Sequence, residues 1–102
     1  MRQFDLIENS SDRSRAHAPY FVLIQSHLFD PLESVVVAPV VRDAKRKMTG
    51  LDLAVEIEGE ALVLSVGELF SIDRRLLRKV RGSVLEHEDA IRRALDRLFF
   101  GF

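Results

Sequence analysis

Apolar positions recur every second residue, or run unbroken, through most of the chain, and take a helical spacing only at its end. Gln3-Phe4-Asp5-Leu6-Ile7 alternates and predicts a first strand over residues 1–8. Residues 9–18 (NSSDRSRAHA) are small and polar and read as an exposed loop. After Pro19, the unbroken run Tyr20-Phe21-Val22-Leu23-Ile24-Gln25 predicts a central strand buried on both faces. Asp30-Pro31 marks a turn, with the large apolar Leu28 and Phe29 beside it. The β-branched run 34–41 (SVVVAPVV) predicts another strand, in which Pro39 points to an edge, a bulge or a strand end. Residues 42–50 read as a basic loop. Leu51, Leu53, Val55 and Ile57 fall on one face of a strand over 51–57; Glu58-Gly59-Glu60 is a hairpin turn signal, and 61–66 (ALVLSV) is the partner strand. Residues 68–81 (ELFSIDRRLLRKVR) fit either a short helix or a strand near 70–72 with a bend at Asp73.

The period changes in the last stretch, VLEHEDAIRRALDRLFFGF. Ile91, Ala94, Leu95, Leu98, Phe99 and Phe102 recur at spacings of three and four, one apolar stripe on a helix. Ser83-Val84-Leu85-Glu86 has the form of a capping box, which starts the helix just after Ser83. Glu86, Glu88 and Asp89 near the start and Arg97 near the end suit the helix dipole. Leu95, Leu98 and Phe99 are expected in the core. Phe99 and Phe100 point about 100° apart, so Phe100 must face outward, as a dimer contact or as an anchor for a partner. Four or five strands followed by one helix predict a small barrel-like sheet with the helix packed on it.

Composition narrows the chemistry. One domain is expected over the 102 residues, with 15 basic against 16 acidic residues and a net charge of −1. That balance supplies no global field for nucleic acid or an anionic membrane. Cysteine is absent, which excludes disulfides and thiolate chemistry. The start, MRQFDLIENSS, reaches charge before any apolar run, so no signal peptide is expected, and no run is long enough to span a bilayer. His17, His27 and His87 share no metal-ligand spacing, no serine sits in a nucleophile elbow, and the glycines form no phosphate loop. No catalytic residue, metal or cofactor is expected. Two basic clusters stand out: Arg42, Lys45, Arg46 and Lys47, and Arg74, Arg75, Arg78, Lys79 and Arg81. They read first as solvated surface, with an RNA-binding groove or a docking surface for an acidic peptide as the functional alternatives.

Over essentially its whole length the chain resembles the CcdB family, toxins of toxin–antitoxin pairs that poison DNA gyrase. Gln3-Phe4, then Phe21-Val22 with Gln25-Ser26, Asp30 and Val37-Ala38-Pro39-Val40 are similar to the family's first three strands. Glu88 to Leu95 and the closing Phe99-Phe100-Gly101-Phe102 resemble its final helix, which commonly ends Phe-Trp-Gly-Ile. Phe100 and Phe102 stand where the gyrase poisons carry tryptophan and isoleucine, and Asp96 replaces an asparagine. In those toxins the tryptophan stacks on an arginine of gyrase; phenylalanine keeps the π face without the indole N–H.

The resemblance implies a mainly β fold with α, an SH3-like β-barrel of the CcdB/MazF kind with a small extra sheet and a C-terminal α-helix. It implies a cytoplasmic homodimer that binds DNA gyrase A, traps cleaved DNA and is itself no enzyme. A CcdA-like antitoxin would neutralise it, and DNA would be met only indirectly, through the antitoxin complex that represses transcription. The target-contacting residues implied are Ser26, Leu28, Phe29, Phe99, Phe100, Gly101 and Phe102. The alternatives are an mRNA endoribonuclease of the MazF/Kid type, resting on the basic clusters and His17, or a non-poisoning relative.

Overall fold

The computed structural model describes residues 1–26, 33–42 and 50–101. Its strands are β1 (Asp5–Glu8), β2 (Tyr20–Leu23), β3 (Ser34–Val41), β4 (Asp52–Ile57), β5 (Glu60–Ser65), β6 (Phe70–Asp73) and β7 (Val80–Ser83), and its helix is α1 (Glu88–Phe100). All pairings are antiparallel. Six strands follow one path, β4-β5-β3-β2-β1-β7, and β6 pairs with β3 beside it. With the helix against one face, this is the mainly β, barrel-like architecture expected.

β3 organises the sheet. Along one edge it pairs with β2; along the other its first half meets β6 (Ser34↔Asp73 to Val37↔Phe70) and its end meets β5 (Val40↔Leu64, Val41↔Val63). Pro39 therefore lies inside a paired strand, not on an edge strand. The Val36 carbonyl accepts from Ile24 and Gln25 on the β2 side. Backbone polar groups of successive strand residues point to alternate sides, so the Pro39 nitrogen faces away from β2, into the gap between β6 and β5. No ladder hydrogen bond is forfeited there.

The β-branched run of β3 is buried on both faces. On the inner face Ala38 and Val40 pack with Leu6, Val22, Leu62, Leu64, Ile91 and Ala94. On the outer face Val35 and Val37 pack with Ile7, Leu23 and Leu77, and Val41 packs with Ala18 and Val63. Each fully buried aliphatic side chain contributes about 1.5–3 kcal/mol.

The structure corrects several boundaries. The first strand begins at Asp5, not Met1, because Phe4 adopts φ 70° and turns the chain. A left-handed non-glycine residue costs about 1–2 kcal/mol. It is held there by its N–H to the Leu23 carbonyl (2.6 Å), its carbonyl to the Val84 N–H (2.8 Å) and its ring in the core. Arg92 adds a cation–π contact at 5.8 Å from that ring. Of the two readings for 68–81, the strand holds: β6, then a single 3-10 turn (Arg74–Leu76), then β7.

The α-helix starts at Glu88, after a 3-10 turn over Leu85–His87, rather than just after Ser83. Ser83 belongs to β7, and its hydroxyl accepts from the Leu85 N–H two residues on, which turns the chain instead of capping α1. Ile91 and Ala94 are fully buried and Leu95 packs partly on the core. Phe99 is 64% exposed, against the expectation that it joins the core. It sits about 80° round the helix from Ile91, on the shoulder of the buried stripe. Even Leu98, in line with Ile91, is only half-buried, so cover runs out in the last turn.

Candidate functional site: a helix end and an outer groove

Phe99 and Phe100 stand together on the last turn of α1, 64% and 70% exposed. Gly101 closes the helix in a left-handed conformation (φ 78°), with its N–H on the Arg97 carbonyl at 3.0 Å. That conformation is what a glycine tolerates and other residues resist, so the cap fixes where the aromatic turn ends. The Arg97 side chain lies across Gly50, with Nη1 donating to its carbonyl at 3.3 Å, and ties the helix end to the start of the β4 hairpin. Ser26 is half-buried, just past β2. Leu28, Phe29 and Phe102 lie outside the described residues. Of the seven expected contact residues, three are thus brought together on one helical turn.

A second concave feature was not singled out by the sequence. It is a cavity of about 550 Å³ on the outer face of the sheet, lined by Asn9, Ser10, Ser11, Ser14, Ala18, Phe21, Pro39, Phe70, Ile72 and Leu76. Its origin is simple. The outer face of β3 is covered at Val35 and Val37 by Leu77 and at Val41 by Ala18. Between those covers, buried Pro39 and its half-buried cross-strand neighbour Phe21 form the floor of the cavity. Phe70 packs edge-on against Phe21, with centroids 5.4 Å apart at 80°. The opposite wall is the 9–18 loop, pinned by buried Asn9. Its Nδ2 donates to the Ala18 carbonyl (2.7 Å) and to Ser14 Oγ (2.9 Å), and its Oδ1 accepts from the Ser11 N–H (3.0 Å). Two of the exposed large apolar residues, Phe70 and Leu76, line it.

The basic clusters do not form one open field. Arg75 pairs with Asp73 (2.8 Å), Arg81 with Glu58 (3.2 Å) and Glu8 (3.6 Å), and Arg42 with Glu60 (2.8 Å). The Arg75 side chain and then its backbone N–H hold the Asp73 carboxyl down at about 2. Lys45, Arg46 and Lys47 lie outside the described residues. His17 is exposed and His87 half-buried at the helix entry; His27 lies outside the described residues. Among the described residues no group of three His, Cys, Asp or Glu could hold a metal, and no helix is long and apolar enough to cross a membrane.

The fold recurs among solved structures. An Mtb toxin is 19% identical, with a TM-score of 0.74 over 92% of this chain and 99% of that one. An endoribonuclease in complex with its cognate antitoxin, from a mycobacterial species, is 9% identical, with a TM-score of 0.77 over 96% of this chain and 93% of that one. At such identities the likeness is one of fold. No curated protein matches the sequence significantly. The CcdB protein family model matches residues 3–101, from the turn at Phe4 to the helix cap at Gly101. The chain belongs to the CcdB family.

Proposed function

We propose that the chain is the toxin of a type II toxin–antitoxin pair and acts by binding, not by catalysis. Its target is DNA gyrase A, bound through the end of α1, so that the cleaved DNA complex is trapped. The observation that carries this reading is the exposed pair Phe99 and Phe100 on a capped final turn, in a chain of this family. Aromatic side chains bring large contact area with few rotors, which is why they anchor interfaces. Phe100 is the anchor, with Phe99, Gly101 and Phe102 around it and Ser26, Leu28 and Phe29 as neighbouring contacts. A homodimer formed beside the helices, in the cytoplasm, and neutralisation by a CcdA-like antitoxin complete the proposal. DNA is met only through the antitoxin complex.

Purified protein is expected to inhibit gyrase supercoiling and to accumulate cleaved DNA. The reading fails if it does neither and if its expression leaves growth unchanged.

The second reading is an endoribonuclease, favoured by the mycobacterial structure with its cognate antitoxin. Against it, Arg42, Arg75 and Arg81 are occupied by carboxylates. Sequence-selective cleavage of RNA by the purified protein would favour it over gyrase binding.

A further inference from the structure

We propose that the free edge of β7 pairs with β7 of a second copy of this chain, antiparallel and about a two-fold axis between Gly82 and Ser83. The contact shares no residue with the helix end, is separate from the homodimer beside the helices, and does not depend on what the chain targets.

β7 ends the strand path and, among the described residues, pairs with β1 along one edge only. All four of its residues, Val80–Ser83, are exposed. An unpaired edge leaves a row of backbone N–H and carbonyl groups that a further strand can satisfy. At the centre of this edge Gly82 (φ 146°) leaves room for a close approach: a side chain there would meet nothing within 4 Å. Two large apolar side chains flank it, Val80 at 47% and Leu85 at 57% exposed.

The residues around this edge select the occupant, because the segment is complementary to its own reverse. Lys79-Val80 precede the centre and Leu85-Glu86 follow it at the same distance. Two-fold pairing sets Val80 opposite Leu85 of the partner subunit and Lys79 opposite Glu86 of the partner subunit, each contact made twice. Lys79 and Glu86 are exposed and, among the described residues, in no ion pair. Arg81, the charge inside the strand, is already held by Glu8 (3.6 Å) and Glu58 (3.2 Å) of its own chain. Charges beside an edge usually keep strands apart. Here they are sorted by sign along the chain. A parallel pair would set lysine on lysine and glutamate on glutamate, so the same charges that bar the parallel arrangement favour the antiparallel one. An edge of four residues buries little area, which makes the contact weak and concentration-dependent.

The test is a charge reversal in the full chain: Lys79→Glu and Glu86→Lys, each alone, mixed one to one, and combined in one chain. Association through this edge is read from concentration-dependent shifts of amides 79–86, beside sedimentation. Either reversal alone sets like charges opposite each other at both ends and should weaken this association about tenfold. The mixture restores opposite charges across the contact, as does the double variant, and both should recover the native association. Both positions are exposed, so urea midpoints should stay unchanged. Phe100→Ala should leave the shifts of 79–86 as they are. No concentration dependence at 79–86, indifference to the single reversals, or no recovery in the mixture and the double variant would each overturn the proposal. A dimer by sedimentation that is indifferent to all of these changes overturns the β7 contact and leaves the homodimer beside the helices standing. A monomer at every concentration overturns both.

Discussion

At the scale of single residues, Phe99 and Phe100 are adjacent and similarly exposed but differ in what they face. Phe100 lies about 180° round the helix from Ile91, whereas Phe99 sits on the shoulder of the buried stripe. The helical period therefore made the outward direction of Phe100 legible. It did not reveal the exposure of Phe99, because periodicity reports direction and not where the opposing sheet ends. Asp73 yields a prediction of a different kind. Arg75 holds its carboxyl at about 2, below the ordinary 3.8. A folded-state value below the unfolded one means stabilisation that is fully present above 3.8 and is lost as pH falls through about 2. Asp73→Asn should flatten this acid limb. Urea midpoints measured against pH for both proteins would check it, and identical slopes in that window would contradict it.

At the scale of elements, the clearest reading was the β4–β5 hairpin. Glu58 and Gly59 form its two-residue loop with φ of 52° and 81°, the left-handed pair that matches strand twist. Glycine suits that conformation and glutamate does not. Glu58→Asn should raise stability by about 0.5 kcal/mol, net of a surface ion pair to Arg81 that is worth little. A drop in the urea midpoint would contradict the turn assignment. β6 and β7 were hard to read for a physical reason. β7 is exposed at every position and β6 has no fully buried one, so neither shows the alternation that marks a half-buried strand. α1 fully buries Ile91 and Ala94, with Leu95 packed partly beside them. Ile91→Ala should cost about 2–5 kcal/mol in chemical denaturation, and a loss under about 1 kcal/mol would mean that the helix is not docked on the sheet.

At the scale of the whole molecule, β3 divides the protein into two working faces. Its inner face joins the core that carries α1 and so sets the position of the aromatic helix end. Its outer face is covered in two places, and the groove lies between those covers over Pro39 and Phe21. Both faces follow from one β-branched run, which marked a strand but, through Pro39, pointed to an edge, a bulge or a strand end rather than to burial on two sides. The groove could not be anticipated either, because Phe21, Pro39 and Leu76 meet only through pairings between distant segments. The proposed homodimer also belongs to this scale. Sedimentation of the full chain should show a concentration-dependent dimer. A monomer at every concentration would contradict it.

The central claim is that the last turn of α1 is a binding surface for gyrase. Its most direct test is the affinity of the full chain for the dimerisation domain of DNA gyrase A, beside Phe100→Ala and Phe100→Trp. With Phe100 70% exposed, neither change should move stability by more than about 0.5 kcal/mol. The account predicts binding by the native chain, a loss of about tenfold or more, about 1.4 kcal/mol, in Phe100→Ala, and recovery or gain in Phe100→Trp. Equal affinity in all three proteins, or none in any, would contradict it.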